Sequence, residues 1–494
     1  MNKIILLLPI LIQFCSDTAK INYAISIFPE KLEPNYNLYY DGSQIASQIY
    51  ERLVVLDNDL KSIKPHLAKR WVISDDKKEY TFYLRKNVYF HDGTKLSAYS
   101  VKKSYEWFRQ QDDKSEIYRR IESFQIIDST AFQFKLNEPY SIFLYTLAAP
   151  QCFEIMSERS IEKYDSTIYY QLVGSGPYYV HDYKRNEFIL LKKFDEYWNE
   201  NAKIEEINFI YYEAESDIVR DFENNRIDIK YLISSYSIDR LLWKGNIKYK
   251  TGLPIDIFFI GFNNQTYPFN NKKVRKALLK AINVPKIVYN TNRGNAIVAK
   301  GPLSPTFFKY KEKEQDKYNP EEAKKILKEN GINNITLNFD YLNTFKGRST
   351  PAELIRNELR QLNINLNIDY YNSWAELDRA VLSDSAQMFY TGGRSDIIGD
   401  AYNLLYGFFY STSELNFLRY KNPLVDRWLD EAILEHDKSK RDIIYEKTVN
   451  QILEDTPAVF LQHVVPNFAY NSKRIKNLDI SPYGIVRFDK LELQ

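Results

Sequence analysis

Thiol and imidazole chemistry are both scarce: the 494 residues include two cysteines, Cys15 and Cys152, and five histidines. His66, His91, His181, His436 and His463 are isolated from one another, so no H-E-x-x-H or other close metal-ligand spacing exists and no metal site is expected. An excess of one charge sign is also missing. The chain carries 67 Lys and Arg against 65 Asp and Glu, net +2, with no dense basic run, so there is no global field to draw in nucleic acid. No period of about 20 to 50 residues repeats, and no Gly/Ser- or Pro-rich linker appears, which argues against a string of separate modules. After the first residues no apolar run is long enough to span a membrane. Catalytic constellations are wanting too. Gly174-Ser175-Gly176 lacks the G-x-S-x-G pattern of a hydrolase elbow, no Gly-Lys-Ser/Thr of a phosphate loop follows it, and Pro177 marks a turn into the strand at Tyr178–Val180. No enzyme activity and no cofactor is expected.

What is present is ordinary in bulk and unusual in one respect. Hydrophobic residues make up 44% and charged residues 27%, as in a soluble globular protein. The length exceeds what one hydrophobic core supports, so at least two lobes are expected. Aromatics reach 15%, with 40 Tyr and 29 Phe. They serve either core packing or the walls of a cleft, where Tyr offers rigid amphipathic area with a polar tip.

The amino terminus reads as an address. A short basic start, Met1-Asn2-Lys3, precedes the apolar run from Ile4 to Ile12. That run is too short to cross a hydrocarbon core of about 30 Å and fits the apolar region of a secretory signal. Cys15 then stands where a lipoprotein signal places its acylated cysteine, although Phe14 and Gln13 depart from the usual lipobox. Acylation of Cys15 would anchor the chain by lipid and leave Cys152 alone, so the fold must be held by core burial. A conventionally cleaved leader is the alternative.

Strands and helices alternate along the rest. Tyr80–Arg85, Phe124–Ile127, Ala131–Leu136 and the alternating run Asn363–Asp369 read as strands. Helices are expected from Leu96 to Arg109, Asn271 to Ile282, Asn319 to Gly331, Leu424 to His436 and Arg441 to Glu454, with another beginning at Thr350-Pro351. Asn319 can cap its helix, Pro320 suits the first turn and Gly331 the left-handed stop. The pattern is mixed α/β.

Several segments together resemble the bacterial extracellular solute-binding proteins that serve peptide and nickel ABC importers. Tyr50-Glu51-Arg52-Leu53 is similar to the "Y-E-x-L" phrase of that family, and Pro65, Leu67, Ala68 and Trp71 to its "P-x-L-A-x-x-W". The block Tyr80 to Val101 matches "Y-T-F-x-L-R-x-x-V-x-F-H-D-G-x-x-L-x-A-x-x-V" almost position by position. Gly174-Ser175-Gly176-Pro177-Tyr178, Tyr197-Trp198 and the stretch Phe262-Asn263 to Ala277 resemble three further signatures. The resemblance implies a two-lobed periplasmic-binding-protein fold (type II) with an extra α/β domain inserted in the first lobe. It implies residues 1–15 as leader; 16–56, 172–262 and 470–494 as a discontinuous first lobe; 57–171 as the inserted domain; and 263–469 as the second lobe. Family peptide binders pair the ligand's ammonium group with the aspartate of "W-x-A-D-Y-x-x-P". Here Asp396 takes that place, Gly393 replaces Trp, Ile397 replaces Tyr, and Asp400 is the fallback. Arg394 is a candidate for a ligand carboxylate or for an internal ion pair with Asp396, and Tyr390 and Tyr402 are candidate cleft walls. The expected partners are a small peptide, the importer's permease subunits and a membrane reached through the lipid anchor, with no nucleic acid and a monomeric state. A nickel chelate, haem or an oligosaccharide remains an alternative cargo, and a surface adhesin or sensor an alternative role.

Overall fold

The computed structural model describes residues 19–34, 40–111, 116–150, 152–165, 172–200, 202–231, 233–306, 308–309, 313–342, 350–383, 385–394 and 399–494. The leader and Cys15 lie outside them. Local chemistry sets the helix ends as expected. Asn319 accepts the Glu322 N–H ahead of the helix Pro320–Glu329, and Gly331 follows with φ +78°. Asn271 caps Lys272–Ala281, and Thr350 caps Pro351–Arg360 with proline in the first turn. No helix among the described residues is long and apolar enough to cross a membrane.

Two large sheets organise the chain. The first has seven strands in the order Tyr178–Lys184, Phe188–Lys193, Glu206–Tyr211, Lys20–Ile25, Ile229–Tyr231, Asn467–Asn471, Ile247–Thr251. Its middle strand Lys20–Ile25 runs parallel to both neighbours. The second has six strands in the order Ala296–Val298, Ala458–Val464, Asp256–Phe262, Met388–Arg394, Ile335–Leu342, Ile364–Tyr371. The strand Asp256–Phe262 is buried on both faces: Ile257 and Phe259 join one hydrophobic cluster, Ile260 and Phe262 another. This is the two-lobed type II architecture. Asp256–Phe262 belongs to the six-stranded sheet and Asn467–Asn471 to the seven-stranded one. Both strands lie next to a crossing between the sheets.

A separate antiparallel sheet of four strands, Ala68–Ile73, Glu79–Leu84, Ala131–Leu136 and Ile121–Asp128, is built within 68–136. Aromatics fill its core. Phe132 stacks on Phe82 at 5.4 Å and on Phe124 at 5.0 Å, and Phe134 meets all three edge-on. Such pairs add about 0.5–1.5 kcal/mol each beyond their buried area. Much of the aromatic surplus therefore packs rather than lines a cleft.

Four of the segments that carried the family resemblance converge on one carboxylate. Buried Glu51 accepts bonds from Ser175 Oγ at 2.7 Å, Tyr197 Oη at 2.9 Å and Trp198 Nε1 at 2.9 and 3.1 Å, and pairs with His66 Nε2 at 2.8 Å. Burial alone would raise its pKa, but the His66 charge and these bonds bring it below the ordinary carboxylate value. Arg85 lies over the Trp198 ring and bonds the His66 carbonyl. Close backbone approach explains the glycines of this region. A Cβ at Gly174 would stand 2.0 Å from the Ile49 carbonyl oxygen. The signatures thus record how the inserted segment is sewn to the first sheet.

Candidate functional site

Among the described residues the chain passes between the two large sheets at 252–255 and 465–466. The crossings lie side by side, because the Gly252 N–H donates to the Pro466 carbonyl at 2.8 Å. Around them polar groups are gathered at the carboxyl ends of the parallel strands, where open α/β sheets leave a crevice. Asp41, in the first turn of the helix Tyr40–Ile49, accepts the Ser26 and Ile27 N–H groups at 2.8 and 3.0 Å. Tyr40 packs on Tyr231 at 4.5 Å and donates to Asp256 Oδ2 at 2.6 Å, bridging the sheets. His463 donates through Nδ1 to the Asp256 carbonyl at 3.0 Å, and its buried Nε2 has no hydrogen-bond partner. Burial pulls the His463 pKa to about 4, so the ring is neutral and Nε2 offers a lone pair.

A cavity of about 510 Å³ opens between the inserted segment and the second lobe, lined by Leu60, Lys61, Leu303, Phe308, Ala401 and Ile443 among others. Its walls meet tightly at Gly399, whose φ is +76°. A Cβ there would come within 3.0–3.1 Å of Leu56 and Tyr145, so only glycine lets the two parts approach this closely. Tyr145 donates to the Lys61 carbonyl at 2.6 Å on the same side.

The residues singled out in the sequence are distributed unevenly about this region. Tyr390 lies on the strand Met388–Arg394, stacked on Phe258 at 5.7 Å and packed against Tyr341 at 5.1 Å, within the second-lobe core. Tyr402 is 1% exposed and stacks on Tyr406. Arg394 ends its strand in register with Asp256 at the crossing, while Asp396 lies outside the described residues. Asp400 lines the cavity wall, yet its carboxylate is already used. Oδ2 takes two guanidinium bonds from Arg441 at 2.9 and 3.1 Å, and Oδ1 takes the Tyr445 hydroxyl at 2.5 Å and the Tyr402 N–H at 3.0 Å. With Asp400 and Arg441 side chains 0% and 2% exposed, this is an internal ion pair with no face left for a ligand ammonium. Sequence reasoning passed over Tyr40, Asp256 and His463, whose partners lie more than two hundred residues away in the chain. A lone histidine in an apolar strand gave no signal. No group of three or more His, Cys, Asp or Glu side chains able to hold a metal ion occurs among the described residues. The site offers binding groups and a hinge rather than a nucleophile with its base.

Comparison with known proteins agrees in sequence and in shape. The profile of the family described as bacterial extracellular solute-binding proteins, family 5 Middle, matches residues 62–416. The glutathione-binding protein GsiB of Escherichia coli K12 is 27% identical over 465 residues, covering 91% of this chain and 90% of that protein. Among solved structures, the periplasmic binding protein DppA of Helicobacter pylori in complex with the peptide STSA aligns over 96% of this chain and 98% of its own, at TM-score 0.83 and 24% identity. NikA from Brucella suis in complex with Fe(III)-EDTA aligns over 96% and 100%, at TM-score 0.86 and 18% identity. At these identities the two structures speak for the fold.

Proposed function

From a chain that belongs to the bacterial extracellular solute-binding proteins of family 5, we propose a receptor that captures short peptides, glutathione among them, by closing two lobes and delivers them to an ABC importer. The observation that carries this reading is the paired crossing at Gly252 and Pro466, where the chain passes twice, side by side, between the two large sheets. Two adjacent strands let the lobes rotate about one line, and a ligand shifts that equilibrium as far as it contacts the closed state preferentially. Asp396 is the proposed partner of the ligand's ammonium group and Arg394 of its carboxylate, since Asp400 is committed to Arg441. Tyr390 and Tyr402 brace the two ends of that segment from within the core. In this reading the leader is removed and Cys15 carries the lipid. The lobes divide at residues 252–255 and 465–466, and 57–171 forms the inserted domain.

Native mass spectrometry of the protein purified from its host reads the mass of any retained ligand, and a thermal-shift series tests di- to pentapeptides and glutathione. A shift that is lost in Asp396→Ala supports the reading. Absence of any shift across the whole series refutes peptide capture.

A further inference from the structure

The end of the seven-stranded sheet opposite the crossings carries an exposed aromatic and basic corner. Trp243 closes the helix Ser235–Leu242 and is 91% exposed, the most exposed large apolar side chain among the described residues. Leu242 and Tyr249 beside it are 38% and 48% exposed, and Tyr249 lies on Ile247–Thr251, an edge strand with one side unpaired. Lys244, Lys248 and Lys473 are exposed in the same corner and form no ion pair with the described residues, although the Lys244 charge is felt at Glu223. The nearby acid Glu223 is taken by Arg240 through two bonds of 2.8 Å, and the helix's own acid, Asp239, lies a turn earlier.

The position of this corner is set by register. Ile247 pairs with Asn471, whose N–H bonds the Asp228 carbonyl, and the Asp228 N–H in turn bonds the Asn22 carbonyl. Ser472 reaches the Asn246 carbonyl, and Arg474 donates to the Lys20 carbonyl at 2.8 Å. The Trp243 turn and the start of the strand Lys20–Ile25 therefore occupy the same end of the sheet. They lie three strands apart, about 14 Å at the usual spacing. The cleft opens at the other end.

We propose that this corner, Trp243 with Leu242, Tyr249 and the unpaired Lys244, Lys248 and Lys473, rests on the surface of an anionic bilayer. Three features choose this occupant. Indole and phenol rings flanked by lysines suit the headgroup boundary, where an apolar body and a polar tip are both satisfied. Unpaired lysines complement anionic headgroups. The chain between Cys15 and Lys20 spans at most roughly 18 Å, so a lipid on Cys15 would hold this end of the first lobe, rather than the cleft, against the bilayer. The cleft would then face away from the membrane while the receptor waits for cargo.

The test uses the chain from Ser16 onward, so that neither the apolar leader nor acyl chains contribute, mixed with vesicles of phosphatidylcholine with and without phosphatidylglycerol. Co-sedimentation should require phosphatidylglycerol. Trp243→Ala should weaken it about tenfold, as withdrawing part of an indole from an apolar boundary implies. Lys244→Glu and Lys248→Glu should each weaken it roughly fivefold. Unchanged thermal melting shows that these exposed positions leave the fold intact. Equal binding with and without phosphatidylglycerol, or binding by Trp243→Ala that matches the parent, overturns the proposal. A Trp243-dependent dimer seen by ultracentrifugation without vesicles also overturns it and assigns the corner to a second copy. The intact mass of the unmutated chain reads acylation of Cys15 separately, so failure of the anchor is not confused with failure of the corner.

Discussion

Asp400→Asn should weaken the second lobe while leaving ligand capture intact, and this separates the two roles a carboxylate beside the cleft can have. The substitution removes a charge from a pair whose side chains are 0% and 2% exposed. It leaves the Arg441 guanidinium buried opposite an amide, and forces the new NH2 toward either that guanidinium or the Tyr445 hydroxyl. Breaking a buried pair from one side costs about 3–5 kcal/mol. Because Asn retains one acceptor oxygen, the lower end, about 3 kcal/mol, is expected. At a urea dependence of about 1–3 kcal/mol per molar, the midpoint should fall by about 1 M or more. Peptide affinity of the folded protein should stay within about threefold. The double variant Asp400→Leu with Arg441→Met removes both charges together and should regain most of the lost stability. Urea titration followed by fluorescence, with calorimetric peptide binding at low denaturant, reads both quantities. An unmoved midpoint together with abolished binding would show that Asp400 holds the ligand and that its pairing with Arg441 is incidental.

Three further outcomes follow from the same geometry. Glu51→Gln should cost about 3 kcal/mol at neutral pH. It should also flatten the acid limb of stability, because the Glu51 pKa is lowered from 4.5 in the fold: its contribution is complete above that value and lost as pH falls through the folded one. Urea midpoints across pH 3 to 7 check this, on the order of one determination per pH unit. His463, held neutral with a pKa of about 4 against an ordinary 6.5, contributes stability that is complete above 6.5 and lost as pH falls toward 4. His463→Gln should reduce the slope of the midpoint over that window, and an unaltered slope would place the titration elsewhere. Gly174→Ala should fold poorly or lose more than about 3 kcal/mol, since the added methyl meets a main-chain oxygen at 2.0 Å. Soluble yield and a thermal melt decide it.

The helix ends and the inserted domain's strands were readable because their causes are local. A cap, a first-turn proline and a left-handed glycine lie within a dozen residues of one another, as at Asn319, Pro320 and Gly331. Several of the family strings were readable for a different reason: those carrying His66, Ser175, Tyr197 and Trp198 all meet Glu51, so they are constrained even though the groups lie up to 147 residues apart. The site was harder. Asp400 looked available because its partners, Arg441 and Tyr445, are 41 and 45 residues away with no motif to announce them. A strand buried on both faces, such as Asp256–Phe262, carries no mark in its sequence of which sheet it enters.

The strand Asn467–Asn471 lies between Ile229–Tyr231 and Ile247–Thr251, although it is made more than two hundred residues after both. Until it arrives the first sheet has an empty slot, and its outermost strand has nothing to bond. A nascent chain of this design has to leave its opening half unfinished throughout synthesis. For a protein destined for the far side of a membrane that delay is an advantage: premature completion would block translocation, and putting the missing piece last in the sequence postpones it.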